Sequence, residues 1–217
     1  MDVKAFENRR WSGEDQAIQF RHRAALDLVP RGTVLDLGSG DGLLLSLLWK
    51  KKAITGKGLD LSEEGVKKAN AKGLDTRVYD FGLNKLPFAE GSFDTVTLLD
   101  ILEHLYDPGS VLKEAARVAK KNVVVGVPNF SSLPARLQVL LGRIPENNQP
   151  KKGHVYWFNK KALEKIAADA GLRLVELHTN TLFERVPVVG TITRLKARFW
   201  PSLFALSFVA KFEKRGN

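Results

Sequence analysis

The chain has 217 residues, with 44% hydrophobic and 27% charged side chains, which sets one compact domain as the default and excludes collagen, disorder and disulfide scaffolds. Cysteine is absent, so thiolate nucleophiles and Cys-ligated zinc are excluded too. The formal charge of +10 is uneven: residues 1–142 carry 20 basic and 18 acidic side chains, whereas residues 143–217 carry 14 and 6.

A basic C-terminal region points to nucleic acid, an anionic membrane surface or an acidic substrate, with a solvated face as the plain alternative. The first residues, Met1-Asp2-Val3-Lys4-Ala5-Phe6-Glu7, have no apolar signal region. No apolar run approaches the ~18 residues of a membrane span; Ser202 to Ala210 is the longest candidate. The expectation is a cytoplasmic protein.

Strand-like and helix-like segments alternate, as in an α/β sheet. A helix is expected from Ser12 or Gly13 to Val29, ended by Pro30. Thr33 to Leu37 reads as a first strand running into glycines, and Leu43 to Lys51 as a buried helix. Ile54 to Asp60 reads as a second strand, Glu63 to Ala71 as a helix, Leu74 to Tyr79 as a third strand and Phe93 to Leu99 as a fourth. Ser110 is the expected cap of a helix through Val118, and Asn122 to Val127 forms a fifth strand stopped by Pro128.

Beyond this point the pattern loosens. Ser132 to Leu141 reads as helical, and Ile144 to Gly153 as a polar loop. Asn159 caps a helix in which Leu163, Ile166, Ala167 and Ala170 recur at helical spacing, and Leu172 to Thr179 alternates like a strand. Residues 181–202 look irregular and basic, and Leu203 to Phe212 closes the sheet. One domain is expected, with residues 1–29 as a lid helix, 30–127 as a ligand-binding core and 128–217 as acceptor-side segments and last strands.

The informative stretch is Val34-Leu35-Asp36-Leu37-Gly38-Ser39-Gly40-Asp41-Gly42. A strand followed by three glycines and a helix lets backbone approach a ligand closely, at the strand end where open α/β sheets bind. A dinucleotide loop would place its third glycine five residues after the first, but Leu43 stands there. Asp36 and Asp41 are poor company for a pyrophosphate and good company for a cation. Asp60 ends the second strand, where a carboxylate suits ribose hydroxyls. Asp80 follows the third, where an acceptor suits an adenine amino group. Each could also simply begin a turn.

With these motifs the chain resembles a class I S-adenosylmethionine-dependent methyltransferase. Val34 to Gly42 resembles the family's first motif, Gly58-Leu59-Asp60 the second, Tyr79-Asp80-Phe81 the third, and Leu102 to Pro108 its "LEH-x-x-DP" segment. The resemblance implies a Rossmann-like, mostly parallel seven-stranded sheet of order 3-2-1-4-5-7-6, its last strand antiparallel, with helices on both faces. It implies S-adenosyl-L-methionine as cofactor and S-adenosyl-L-homocysteine as product. Gly38, Ser39, Gly40 and Gly42 would pass beneath the methionyl group, with Asp36 orienting its ammonium. Asp60 and Leu61 would meet the ribose and Asp80 with Phe81 the adenine, while Asp100 and Ile101 would flank the sulfonium. Ser39 stands where the family often has Cys, Ala or Thr.

Val127-Pro128-Asn129-Phe130, Arg136 to Arg143 and Gly153-His154-Val155 resemble the methionine-biosynthesis protein W (MetW) group. That likeness implies the alternative of an accessory protein supporting an acyltransferase in methionine biosynthesis. Charge alone suggests a third reading, a methyltransferase of lipid or RNA.

Methyl transfer depends mainly on positioning, and a base is needed only where the acceptor must lose its proton early. His104, beside Glu103, is the candidate base, and Asn129 the candidate for orienting an acceptor; packing and turn roles are the alternatives. His154, Tyr156 and Trp157 could form a lid. The four histidines lack H-E-x-x-H or comparable spacing, so no metal is expected. Thr55-Gly56-Lys57-Gly58 is not a P-loop, and Ser39 is not in G-x-S-x-G. The expected partner is a small-molecule acceptor, with an anionic one favoured by the charge. Nucleic acid is disfavoured because no RNA-binding motif accompanies the basic region. Peripheral membrane contact through residues 181–204 remains open.

Overall fold

The computed structural model describes residues 17–182 and 187–215, together with residues 4, 8, 11 and 13. Seven strands form one sheet: β1 (Val34–Leu37), β2 (Gly56–Asp60), β3 (Asp75–Val78), β4 (Phe93–Leu99), β5 (Ala119–Pro128), β6 (Leu172–Thr181) and β7 (Ala205–Lys214). Their order is β3-β2-β1-β4-β5-β7-β6. The first five pair in parallel, and β7 is antiparallel to both β5 and β6, as the resemblance implied.

Alternate residues of the central strands feed two cores, because successive side chains point to opposite faces. Leu35, Leu37, Val123, Val125 and Val127 join a core beneath α4 (Pro108–Val118) and α6 (Lys160–Asp169). Val34, Val124 and Val209 join a second core beneath α1 (Phe20–Leu28) and α2 (Leu43–Lys52). The remaining helices are α3 (Glu63–Ala71), α5 (Leu133–Leu140), α7 (Pro187–Phe199) and α8 (Pro201–Phe204). Among the described residues no helix is long and apolar enough to cross a membrane.

Three local expectations are corrected. First, α1 begins at Phe20, where Gln19 and His22 form a reciprocal capping box; residues 12 and 14–16 of the expected longer helix lie outside the described residues. Second, α4 is capped by Asp107, whose carboxylate accepts from Ser110 N at 3.1 Å. Pro108 fills the first helical position, where its missing N–H costs nothing. Third, residues 187–199 of the stretch expected to be irregular form α7. Its Ala197 is buried, so packing outweighs a β-branched sequence of weak helix propensity.

The sheet order reverses direction between β1 and β4. Open α/β sheets leave a crevice outside the carboxyl ends of strands at such a switch point. The loops after Leu37 and Leu99 therefore line a ready-made site.

Candidate functional site

The glycine loop after β1 is held by backbone from β2. Gly38 N and Ser39 N both donate to Leu59 O, at 2.7 and 3.2 Å. Asp60 then fixes the loop from its own strand end: Oδ2 accepts from Gly40 N at 2.7 Å and Oδ1 from Ser62 N at 2.8 Å. Gly38 has φ of +76°, a region that glycine enters without a steric penalty. A Cβ there would stand 2.0 Å from Ile101 Cδ1. Gly40 is covered by the Trp11 ring and Gly42 by Leu74 in the same way.

Two small hollows meet at this loop. One, of about 50 Å³, is lined by Asp36, Gly38, Ser39, Asp60, Asp100 and Ile101 among others. The other, of about 90 Å³, is lined by Gly38, Asp60, Leu61, Asp80, Phe81 and Ile101 among others. Gly38, Asp60 and Ile101 belong to both. Nine of the eleven residues expected to bind cofactor thus line one continuous depression, and Gly40 and Gly42 shape its floor.

The electrostatics of this depression favour a cation. Asp36 is buried, and that burial pushes its carboxyl up to about 7. A hydrogen bond from Thr97 Oγ1 (2.6 Å) opposes the shift, and the nearby Asp60 adds to it. A cationic ligand would relieve both desolvation and repulsion. Asp41, expected to share this role, is instead paired with Lys72 Nζ at 2.9 Å. Ser39 Oγ is buried and has no hydrogen-bond partner among the described residues. An under-satisfied hydroxyl, a carboxyl held near neutrality and a cradle that a Cβ would fill suit the methionyl end of a sulfonium nucleoside.

A larger cavity of about 700 Å³ adjoins the depression. Arg21 and Asp100 line both, and His104 lines the cavity and the Asp80–Phe81 hollow. Asp100 has φ of +55°, unusual for a residue with a side chain, and its Oδ2 accepts from Arg21 Nη1 at 2.8 Å. His104 lies in a turn of 3₁₀ helix over Leu102–His104. Its Nδ1 donates to Gly153 O (3.1 Å), an assignment that follows because a carbonyl only accepts. His154 stacks edge-on against it with centroids 4.9 Å apart, and His154 Nδ1 donates to Asn147 O at 2.7 Å.

Glu103, His104 and His154 place ligand-type atoms within 4.8 Å of one another, a grouping that spacing along the chain could not reveal. Glu103 Oε1 stands 4.0 Å from His154 Nε2. A tetrahedral metal with bonds of ~2.1 Å would draw its ligand atoms to about 3.4 Å. The three side chains form one compact cluster on the cavity wall.

Asn129 is fully buried, and its amide is engaged on every side. Nδ2 donates to Ser202 O (2.9 Å) and Ala205 O (2.7 Å), while Oδ1 accepts from Ser131 N and Ser131 Oγ. It braces β5 against the start of β7 instead of presenting its amide to the cavity. Arg21 was missed at the sequence level, since its partner Asp100 lies 79 positions away.

The sheet order, the glycine loop at its switch point and the acidic strand ends define the fold of the class I S-adenosylmethionine-dependent methyltransferases. The chain belongs to the family described as methionine biosynthesis protein MetW, whose model matches residues 20–209. It is 30% identical over 163 residues to a phosphatidylethanolamine N-methyltransferase of Cereibacter sphaeroides, covering 72% of this chain and 78% of that one. It is 35% identical over 118 residues to an uncharacterized 37.1 kDa transposon protein of Streptomyces fradiae, covering 50% of this chain and 34% of that protein. The chain thus spans about a third of one relative and over three quarters of the other. Among solved structures, a Haloferax volcanii methyltransferase in complex with the Trm112 methyltransferase activator shares the fold, with a TM-score of 0.70, 23% identity, and coverage of 100% of this chain and 99% of that one.

Proposed function

We propose that the protein transfers a methyl group from S-adenosylmethionine to a small molecule held in the 700 Å³ cavity. The observation that carries this reading is the shared wall: Arg21, Asp100 and His104 face both the cofactor depression and the cavity. Bound there, the cofactor supplies an electrophilic methyl on a sulfonium. Asp36 meets the ammonium, Asp60 the ribose hydroxyls, and Asp80 with Phe81 the adenine. A carboxylate oxygen accepts more than one hydrogen bond, so Asp60 can fix the loop and bind ribose together. Asp100 and Ile101 confine the reacting end.

His104 takes the proton from a hydroxyl acceptor. Its Nδ1–H is committed to Gly153 O, which puts the basic lone pair on Nε2. Positioning supplies the larger part of the acceleration. Asn129 acts by holding the cavity wall. An anionic acceptor is favoured by the basic excess of residues 143–217, since on the cavity lining itself Arg21, Lys151 and Lys152 are balanced by Asp100, Glu103 and Glu146. The lid role expected of residues 1–29 falls to the part before α1, where Trp11 covers Gly40 and Lys4 pairs with Glu63 at 2.6 Å, while α1 itself packs in the core. The acceptor side is built from residues 128–217, and the protein works in the cytoplasm.

The test is to incubate the protein with methyl-labelled cofactor and a cell extract and identify the labelled product by mass spectrometry. A labelled small molecule supports the reading. Label absent from every product, with cofactor bound, contradicts it. The family's description, and a fold neighbour solved with an activator protein, favour a second reading: an accessory protein supporting a partner acyltransferase in methionine biosynthesis. Co-purification with an acyltransferase in place of methyl transfer would select it.

A further inference from the structure

Helix α5 is turned inside out for a surface helix. Its small or polar residues Ser132, Pro134, Ala135 and Gln138 line the 700 Å³ cavity. Its outward stripe is Leu133, Leu137, Leu140 and Leu141, at helical spacing, with Leu140 81% and Leu141 68% exposed. A soluble helix normally shows the reverse pattern, and contiguous exposed apolar stripes mark interaction surfaces.

A second stripe of the same kind lies on α7. Ile192, Leu195 and Phe199 of α7 are exposed at helical spacing, followed by exposed Trp200. The segments that flank them are joined: Asn129 Nδ2 and Ser131 Oγ, just before α5, both donate to Ser202 O in α8, just after α7, at 2.9 and 3.1 Å. Exposed Phe130 and Trp157 approach to 6.0 Å between centroids beside the entry of α5.

The charges along these two segments have one sign. Residues 129–145 contain Arg136 and Arg143, and residues 187–204 contain Arg194, Lys196 and Arg198; neither stretch has an Asp or Glu. Leucine and tryptophan interleaved with arginine match a surface that inserts apolar side chains among anionic headgroups. Single-stranded RNA could stack on the exposed aromatics but would leave the leucine stripe of α5 uncovered, whereas a bilayer accommodates both.

We propose that the α5–α7 face docks the protein peripherally on an anionic phospholipid bilayer, which sets the cavity mouth at headgroup depth. The docking stands independently of catalysis. Its consequence, that the methyl acceptor is an amphiphile resident in or entering from the membrane, rests on the methyltransferase reading above.

The experiment is co-sedimentation of the full chain with vesicles of phosphatidylcholine alone and of phosphatidylcholine with phosphatidylglycerol. Tryptophan fluorescence and S-adenosylhomocysteine binding are followed on the same samples. Binding should be at least about tenfold stronger to the anionic vesicles, with a blue shift from Trp200 and Trp157. Leu140→Glu with Leu141→Glu should lower it by about tenfold or more, while S-adenosylhomocysteine binding, which reports the intact fold, stays unchanged. Arg136→Glu with Arg143→Glu should do the same and should weaken the salt dependence.

The proposal is overturned by any of four results: no vesicle binding by folded chain; equal binding by the leucine double variant; binding of single-stranded RNA abolished by that variant; or a dimer that the variant converts to monomer. A wild-type chain that is folded by circular dichroism and binds the anionic vesicles but not S-adenosylhomocysteine would contradict the catalytic reading and leave the docking result intact.

Discussion

The two sides of the switch point are built on opposite terms. On the β1–β3 side polar groups are buried and held: Asp60 grips the glycine loop, Asp41 is paired with Lys72, and Asp36 is drawn toward neutrality. On the side of α5 and α7 large apolar groups face outward and every charge in residues 129–145 is basic. The first region suits a ligand of fixed shape and positive charge. The second encloses a roomy cavity and presents a sticky, cationic exterior. The positive charge of the whole chain therefore sits mostly in residues 143–217, with 14 basic and 6 acidic side chains.

The sharpest way to break the first region is to fill its cradle. Gly38→Val places a Cβ against Ile101 and forces a side chain into φ of +76°. S-adenosylhomocysteine affinity should fall by more than about a hundredfold, or ~2.7 kcal/mol, as read by calorimetry. Leu140→Glu in the second region should leave that affinity unchanged.

Proton linkage separates the two buried titratable groups beneath the site. His22 is held down to about 4, first by burial and then by Arg21. Its folded pKa is below the ordinary 6.5, so its contribution to stability is present above 6.5 and is lost as pH falls toward 4. Asp36 runs the other way. Its folded pKa is above the ordinary 3.8, so its contribution is present below 3.8 and is lost as pH rises through 7. The wild-type chain should therefore be nearly flat between pH 4 and 6.5, where the two slopes oppose each other. In denaturant titrations, Asp36→Asn should expose a fall in stability on acidification, and His22→Gln a rise, each of about 3 kcal/mol across that window.

The same carboxyl makes cofactor binding pH-dependent. Asp36 must ionise to meet an ammonium, so affinity for S-adenosylhomocysteine should rise about tenfold from pH 6 to 8, with proton release into the buffer. Asp36→Asn should lower the affinity and abolish the dependence. Smallest of all, Leu141→Glu should alter folding stability by no more than about 0.5 kcal/mol in the same denaturant assay, because its side chain packs on solvent.

Most of the cofactor half was legible in the sequence. Helix α3 and strand β4 have the expected bounds, and the acidic strand ends fall where expected, because short parallel strands ending in Gly or Asp carry their own punctuation. What stayed hidden depended on contacts distant along the chain. Arg21 meets Asp100, and His154 comes to Glu103 and His104, only once the sheet is assembled. Asp41 looked like a ligand group until Lys72 was brought beside it. Helix α7 was hidden for another reason: Val188, Val189, Thr191, Ile192 and Thr193 are β-branched and made the stretch look irregular, whereas the helix buries Gly190 and Ala197. Asp107 was overlooked as the cap of α4 in favour of Ser110, although Asp followed by Pro is itself a strong start signal.

The central claim is that the crevice between β1 and β4 holds an adenosyl sulfonium beside the acceptor cavity. The most direct measurement is calorimetric titration of the full chain with S-adenosylhomocysteine at pH 8, in parallel with Asp60→Ala. Saturable one-to-one binding, weakened by about 1 kcal/mol or more in the variant, is the predicted result. A folded wild-type chain that gives no binding heat and no thermal stabilisation with this ligand would contradict the claim.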